Sequence, residues 1–155
     1  ENSWLSLNIK YNLPIQIFRL SGIYSNKNNI LNRLKIGTAK LVNKKNHFFS
    51  RVHVEDIGNI LYESLTKFKE GEIFNISDDK PSSSEEVTLY AAKLLNIKDI
   101  KKVEIESLEN SMLKNFYKDS KKVNNQKMKE FFNYRLKFPT YVEGLNYIRD
   151  NFIKL

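Results

Sequence analysis

The sequence predicts a mixed α/β chain in which short apolar strands alternate with amphipathic helices. Three observations carry this reading. Ile57, Ile60, Leu61, Leu65 and Phe68 recur at i, i+3, i+4, i+8 and i+11, so they share one helical face. Two apolar runs of strand length, residues 15–20 and 73–76, flank that helix. Two capping boxes, Ser83-x-x-Glu86 and Thr140-x-x-Glu143, open helices further on. Short strands joined through helices imply parallel pairing with right-handed crossovers.

The elements follow in order. Trp4, Leu5, Leu7, Ile9 and Tyr11 read as a helix entered partway, without a Ser, Thr or Asp cap. With Glu1 rather than Met in front of it, the expectation is a piece of a longer protein, ahead of a processed chain. Pro14 breaks the helix, and 15–20 is a short buried strand. Ser21 to Ser25 reads as a loop carrying Gly22. Asn28 or Asn29 caps a helix bearing Ile30, Leu31 and Leu34, which Gly37 closes. Lys44-Lys45-Asn46 is a solvated turn, and 48–54 is β-rich. Asp56 is expected to cap the helix that follows, and Gly71 to stop it. After the 73–76 strand, the helix behind Ser83 carries Val87, Tyr90, Ala91, Leu94 and Leu95 and ends at Asn96. Val103 and Ile105 read as a strand, and 108–117 as a short helix. Met128, Phe131 and Phe132 line a helix starting near Asn124. Tyr141, Leu145, Ile148 and Phe152 mark the last one. The expected organisation is one domain or fragment, with the sheet in 1–80 and a mainly helical part in 81–155.

Composition excludes several function classes. Hydrophobic residues make up 41% of the 155, enough for a core, so a disordered chain is excluded. There is no cysteine, hence no disulfide framework, thiol nucleophile or Cys-ligated metal. His47 and His53 are six apart, which suits neither a helix nor a strand face, so no metal site is expected. No apolar run approaches the roughly 20 residues of a membrane span, and no signal-peptide pattern opens the chain. The net charge is +8. Lys40, Lys44 and Lys45 cluster, as do Lys114, Lys118, Lys121, Lys122, Lys127 and Lys129 around Phe116 and Tyr117. Such patches suit phosphate groups, but a chain rich in Lys, Asn and Ile carries them on any solvated surface. No recognition motif accompanies them, so nucleic acid is not the expected partner. Asp78-Asp79 reads as turn chemistry, and Glu85-Glu86 as acids favouring a helix N-terminus. No Gly-x-Gly-x-x-Gly, phosphate-binding Gly-x-x-x-x-Gly-Lys loop or Gly-x-Ser-x-Gly elbow is present.

Three stretches taken together carry a resemblance: residues 13–24, ending Leu20-Ser21-Gly22-Ile23-Tyr24; residues 49–57, with Arg51-Val52-His53-Val54-Glu55-Asp56; and residues 71–79, with Phe74-Asn75-Ile76-Ser77-Asp78-Asp79. Asn115-Phe116-Tyr117, Lys121-Lys122-Val123-Asn124-Asn125 and Phe138-Pro139-Thr140-Tyr141 extend it. The chain resembles the carboxyl-terminal half of an extended short-chain dehydrogenase/reductase, the NAD-dependent epimerase/dehydratase family, in a nucleoside-diphosphate-sugar epimerase-like branch. The resemblance implies a Rossmann-like doubly wound fold with a small, mainly helical substrate-binding region, in a cytoplasmic protein. It implies NAD or NADP as cofactor of the parent protein, with none bound by this piece alone. The implied substrate is nucleotide-sugar-like.

The same resemblance places Leu20, Ser21, Gly22, Ile23 and Tyr24 beside the nicotinamide ring, and Arg51 and His53 at the substrate pocket. By residue type alone, His53 reads as structural before it reads as an acid or base. Two departures stand out. Ser25-Asn26 follow Tyr24 where the family carries Gly-Pro, and Phe49 stands where its sugar-nucleotide epimerases carry a diphosphate-binding Arg. The family's catalytic Tyr-x-x-x-Lys pair is expected upstream of Glu1, since no Tyr here precedes a Lys by four in a helical context. The piece alone is therefore expected to be inactive. The 15–20 strand would present an open edge, predicting a homodimer through it. The alternatives are a cofactor-free binding or scaffold module on the same fold, and a basic nucleic-acid-binding domain.

Overall fold

The computed structural model describes residues 1–42, 44–107 and 117–153. In chain order the elements are α1 (Asn2–Tyr11), β1 (Ile17–Leu20), β2 (Gly22–Tyr24), α2 (Ile30–Lys35), β3 (Lys40–Val42), β4 (Arg51–His53), α3 (Val54–Ser64), β5 (Ile73–Ile76), α4 (Ser84–Leu94) and β6 (Lys101–Val103), followed by α5 (Gln126–Phe132) and α6 (Tyr141–Phe152). The strands pair as β1–β5, β2–β4 and β3–β6, and every pairing is parallel. The expected α/β class with short parallel strands is what the chain adopts.

The sheet divides at Ser21. The Ser21 N–H donates to the Ile76 carbonyl at 3.0 Å, and the next N–H, of Gly22, donates to the Ser50 carbonyl at 3.1 Å. One extended run thus changes partner in mid-course, with Leu20 opposite Ile76 and Gly22 opposite Arg51. Residues 22–24, read as loop from sequence, are therefore a strand. The misreading has a physical cause. Glycine argues against a strand unless backbone approaches closely, and here it does: a β-carbon on Gly22 would lie 3.3 Å from the Ser50 carbonyl oxygen.

Apolar packing fixes the ribbons. Val52, Ile57, Ile60, Phe74, Ile76, Met128 and Phe132 form one buried cluster, joining β4, α3, β5 and α5. Phe74 stacks on Phe18, with ring centres 6.0 Å apart, and packs at a tilt against Phe132 at 5.0 Å. A second cluster joins Tyr24, Leu31 and Leu34 to Val87 and Ala91 of α4 and to Tyr141, Leu145 and Ile148 of α6. Full burial of each large side chain contributes about 1.5–3 kcal/mol, so these two clusters hold the site's walls.

Helix ends follow the cap chemistry, with two corrections. Asn29 caps α2 by accepting the Asn32 N–H at 2.9 Å, and Thr140 with Glu143 closes the full capping box of α6. At α3 the cap is His53, whose Nδ1 accepts the Glu55 N–H at 3.3 Å. Asp56, the expected cap, lies inside the first turn and faces a different segment. This helix also ends at Ser64, short of Gly71, and leaves Leu65 79% exposed. Ser64 and Thr66 donate their hydroxyls to the Leu61 and Glu63 carbonyls at 2.6 and 3.1 Å, bonds that compete with helix continuation. Asn12, Asn96 and Asn133 take left-handed backbone, φ 49 to 54°, behind α1, α4 and α5; Asn tolerates that conformation better than most residues. Ile105 sits in a 3-10 turn, Ile105–Ser107, rather than in the strand. Apart from Tyr117, the predicted 108–117 helix lies outside the described residues. No described helix is long and apolar enough to cross a membrane.

Candidate functional site

The β2–β4 ribbon is one wall of a cavity of about 930 Å³. Leu20, Ser21, Gly22, Ile23 and Tyr24 all line it, because the strand crosses from one partner to the other along the cavity's edge. Leu20 and Ile23 are 45% and 48% exposed, an apolar surface that faces open space. Asn29, Ile30 and Arg33 on α2, Ser84 and Val87 on α4, and Tyr141 on α6 supply further walls.

Arg51 lines the same cavity, directly opposite Gly22 in the ladder. Its Nη1 donates to the carbonyls of Phe49 at 3.1 Å and Ser82 at 2.9 Å. These two bonds hold the guanidinium in place and leave its other N–H groups for a ligand. Burial lowers its pKa from the ordinary value, and the nearby Asp78 charge works against that shift.

His53 sits behind the wall and does not line the cavity. It is buried, and its ring packs on Phe138 at 4.1 Å and on Tyr24 at 5.0 Å. Because Nδ1 accepts the Glu55 N–H, the neutral ring is inferred to carry its proton on Nε2. Burial lowers its pKa, which keeps the ring neutral. Its contacts are those of a helix cap and a packing residue.

Two buried groups have surroundings that the sequence does not show. Tyr24 presses its hydroxyl against Gly144 of α6, and that hydroxyl is buried without a hydrogen-bond partner. Burial, followed by the Asp78 charge, raises its pKa above the usual tyrosine value. Asp78 is 1% exposed, and neither carboxylate oxygen closes a hydrogen bond. The backbone N–H groups of Arg51 and Lys80 face it and favour its ionised form, without reaching bonding geometry. Burial nonetheless pushes its pKa up to about 7 from an ordinary 3.8. Between those values the unfolded chain is ionised while the folded one keeps the proton. This group's contribution to stability therefore falls as pH rises from about 4 to about 7. Asp79 lies at a bend, and its carboxylate accepts from Lys129 at 3.0 Å and Asn125 at 2.8 Å, long-range contacts in place of the expected turn chemistry. No local pattern marks Asp78, because its surroundings come from β4 and β2.

Tyr117 and Lys121 have Tyr-x-x-x-Lys spacing and both line the cavity. Tyr117 lies in a turn and Lys121 outside any helix or strand, and the Tyr117 hydroxyl donates to Ser84 Oγ at 3.2 Å. Several of the clustered lysines have partners. Lys127 pairs with Glu72 at 2.5 Å, Lys129 with Asp79, and Lys44 donates to the Tyr117 carbonyl. Among the described residues, no group of His, Asp or Glu could hold a metal ion.

No protein-family model and no curated protein matches the chain. Solved structures do. A conserved protein of unknown function from Silicibacter pomeroyi DSS superposes with a TM-score of 0.89 at 32% identity, over 97% of this chain and 52% of that one. The dTDP-glucose 4,6-dehydratase of Bacillus anthracis str. Ames, in complex with NAD, gives 0.71 at 20% identity, over 95% and 48%. UDP-glucose 4-epimerase from Thermotoga maritima, with UDP-glucose, gives 0.72 at 14% identity, over 96% and 50%. The fold is that of the Rossmann-like epimerases and dehydratases. The chain spans about half the length of these structures. In this fold, ligands gather beyond the carboxyl ends of parallel strands. Here those ends are Leu20, where the sheet divides, and Tyr24.

Proposed function

We propose that this chain is the substrate-side portion of an NAD(P)-dependent epimerase, dehydratase or related oxidoreductase, acting in the cytoplasm on a nucleotide sugar or similar small molecule. The observation that carries this reading is the joint placement of the 20–24 strip and Arg51 on one cavity wall. The NAD held by the Bacillus dehydratase and the UDP-glucose held by the Thermotoga epimerase support it.

In this reading Leu20, Ser21, Gly22, Ile23 and Tyr24 meet the nicotinamide edge of NAD or NADP. The exposed Leu20 and Ile23 side chains suit a flat ring, and Gly22 presents backbone without a β-carbon. The cofactor, when bound, supplies hydride transfer. Arg51 holds the substrate's diphosphate, for which a guanidinium is well shaped. The glycine-rich loop and the helical Tyr/Lys pair match no residues of this chain, so alone it is catalytically silent.

Isothermal titration of the whole chain with UDP-glucose tests the reading. Binding is expected, and Arg51→Gln should weaken it about 10- to 100-fold, the loss of one or two charged hydrogen bonds. Equal affinity in the variant would remove Arg51 from the site. Among the described residues, β1 has no strand on its outer edge, and we expect the chain to pair through it as a homodimer. Sedimentation equilibrium at high concentration should give twice the chain mass; a clean monomer would refute the pairing.

A further inference from the structure

We propose that α3 docks on α3 of a second copy of this chain, through an exposed apolar stripe that adds to the open β1 edge. This rests on the pairing through β1 given above and names the contact that completes it. The helix has two apolar faces. Ile57 and Ile60 point into the core. Val54, Leu61, Tyr62 and Leu65 do not, being 44–79% exposed. With Gly58 they fall at i, i+4, i+7, i+8 and i+11, which is one stripe about 100° wide. Leu65, the cap residue, keeps helical backbone and so continues the row.

The opposite flank of α3 is occupied. Asn59 donates to the Tyr134 hydroxyl, and Asp56 accepts from Tyr134, Lys137 and Phe138. On the stripe itself, a β-carbon on Gly58 would meet open space. A second helix can therefore come close at the middle of the row. Leu20 carries the bare surface on to β1: it is half-exposed, while Ile76, its partner in the ladder, is buried in the cluster that α3 covers.

Symmetry and area choose the occupant. Two identical strand edges pair antiparallel about a two-fold axis, and a two-fold interface has to match itself. The stripe does so because it carries no charge. The acids nearest it, Glu55 and Glu63, are already paired within the chain to Lys137 and Lys67 at 2.6 and 2.8 Å. Arg19 on β1 is likewise paired to Glu1. Like charges are thus not set against each other unpaired when the two copies meet. The area argument points the same way. β1 is only four residues long, a short edge for a stable dimer, which takes about 800 Å² from each partner. The stripe offers roughly 450 Å², the size of apolar patch that marks an interaction site, and the edge with Leu20 supplies the remainder.

The chain has no cysteine, so the contact can be read directly. Leu61→Cys, near the middle of the stripe, should give a covalent dimer with a short thiol cross-linker. Leu89→Cys, comparably exposed on α4, should not. In sedimentation equilibrium of the whole chain, Leu65→Glu should raise the dimer dissociation constant about 100-fold, since each copy would bury an unpaired charge. Leu89→Glu should leave it unchanged. A dimer that withstands Leu65→Glu and gives no cross-link through Leu61→Cys would overturn the α3 contact and leave the β1 pairing standing. A monomeric wild type at high concentration would overturn both. Where the two readouts differ, or a shifted urea midpoint shows that Leu65→Glu disturbs the fold, the cross-link decides.

Discussion

Replacing Gly144 by alanine is expected to destabilise the chain by about 3 kcal/mol, the upper end of the ordinary cost of overpacking. The new β-carbon would overlap the Tyr24 hydroxyl and come within 2.7 Å of two carbons of its ring. The ring has little room to retreat, being buried with His53 at 5.0 Å on another side. Two effects oppose each other here. Alanine is a better helix former than glycine by about 1 kcal/mol, and position 144 lies inside α6. The overlap wins because it involves a whole buried ring rather than the tip of a flexible side chain. Urea denaturation checks the value. Tyr24→Phe should rescue little, since the ring carbons remain, whereas Tyr24→Leu with Gly144→Ala should cost clearly less than the sum of the two changes. An alanine variant as stable as wild type would mean that Tyr24 does not rest on Gly144. Because Tyr24 lines the cavity and pairs with His53 in the ladder, the variant should also weaken UDP-glucose.

What was legible in the sequence was whatever is encoded locally. The Thr140 capping box, the Asn29 cap and the Ile57–Ile60 face depend on residues three or four apart, and each is present. The family-like pattern singles out the 20–24 strip and Arg51, and the fold places them on one cavity. What stayed hidden depends on distant chain. Gly22 looks like a turn residue until Ser50, 28 positions away, approaches it as a parallel neighbour. The strand β3 is three residues long and is defined only by its pairing to β6, some 60 residues on. Asp78 looks like half of a polar turn, and only β4 and β2 make it a buried acid. Ser83 caps α4, but Glu86 does not complete a box; it turns to Tyr141 and Lys80 instead, a tertiary choice that helix rules do not contain.

Asp56→Ala should cost about 4 kcal/mol, the largest single loss expected in the chain. The Asp56 side chain is fully buried and gathers three donors: the Tyr134 hydroxyl at 2.8 Å, the Lys137 N–H at 2.7 Å and the Phe138 N–H at 3.0 Å. All three come from a segment about 80 residues away, so this one carboxylate ties that segment to α3. Hydrogen bonds to a charged group contribute about 1.5–3 kcal/mol each, and a buried donor left without a partner costs about 1–3 kcal/mol. Alanine leaves the buried Phe138 N–H unpaired, while water reaches part of the Lys137 and Tyr134 groups, which keeps the total below the simple sum. Asp56→Asn keeps the shape and one acceptor oxygen but turns an NH₂ toward backbone donors, so it should fall between alanine and wild type. Tyr134→Phe removes one donor whose oxygen also accepts from Asn59 at 3.0 Å, and should cost only about 1 kcal/mol. The order alanine, asparagine, Tyr134→Phe, read by denaturation, is the test; a Tyr134→Phe loss as large as that of Asp56→Ala would show that the two backbone bonds contribute nothing. The consequence reaches the site through contacts already described. Phe138 covers His53 at 4.1 Å, His53 caps α3 and stands opposite Tyr24, and Tyr24 lines the cavity. Loosening the 134–138 segment should therefore lower UDP-glucose affinity in Asp56→Ala even where the chain remains folded, while Tyr134→Phe leaves it near wild type.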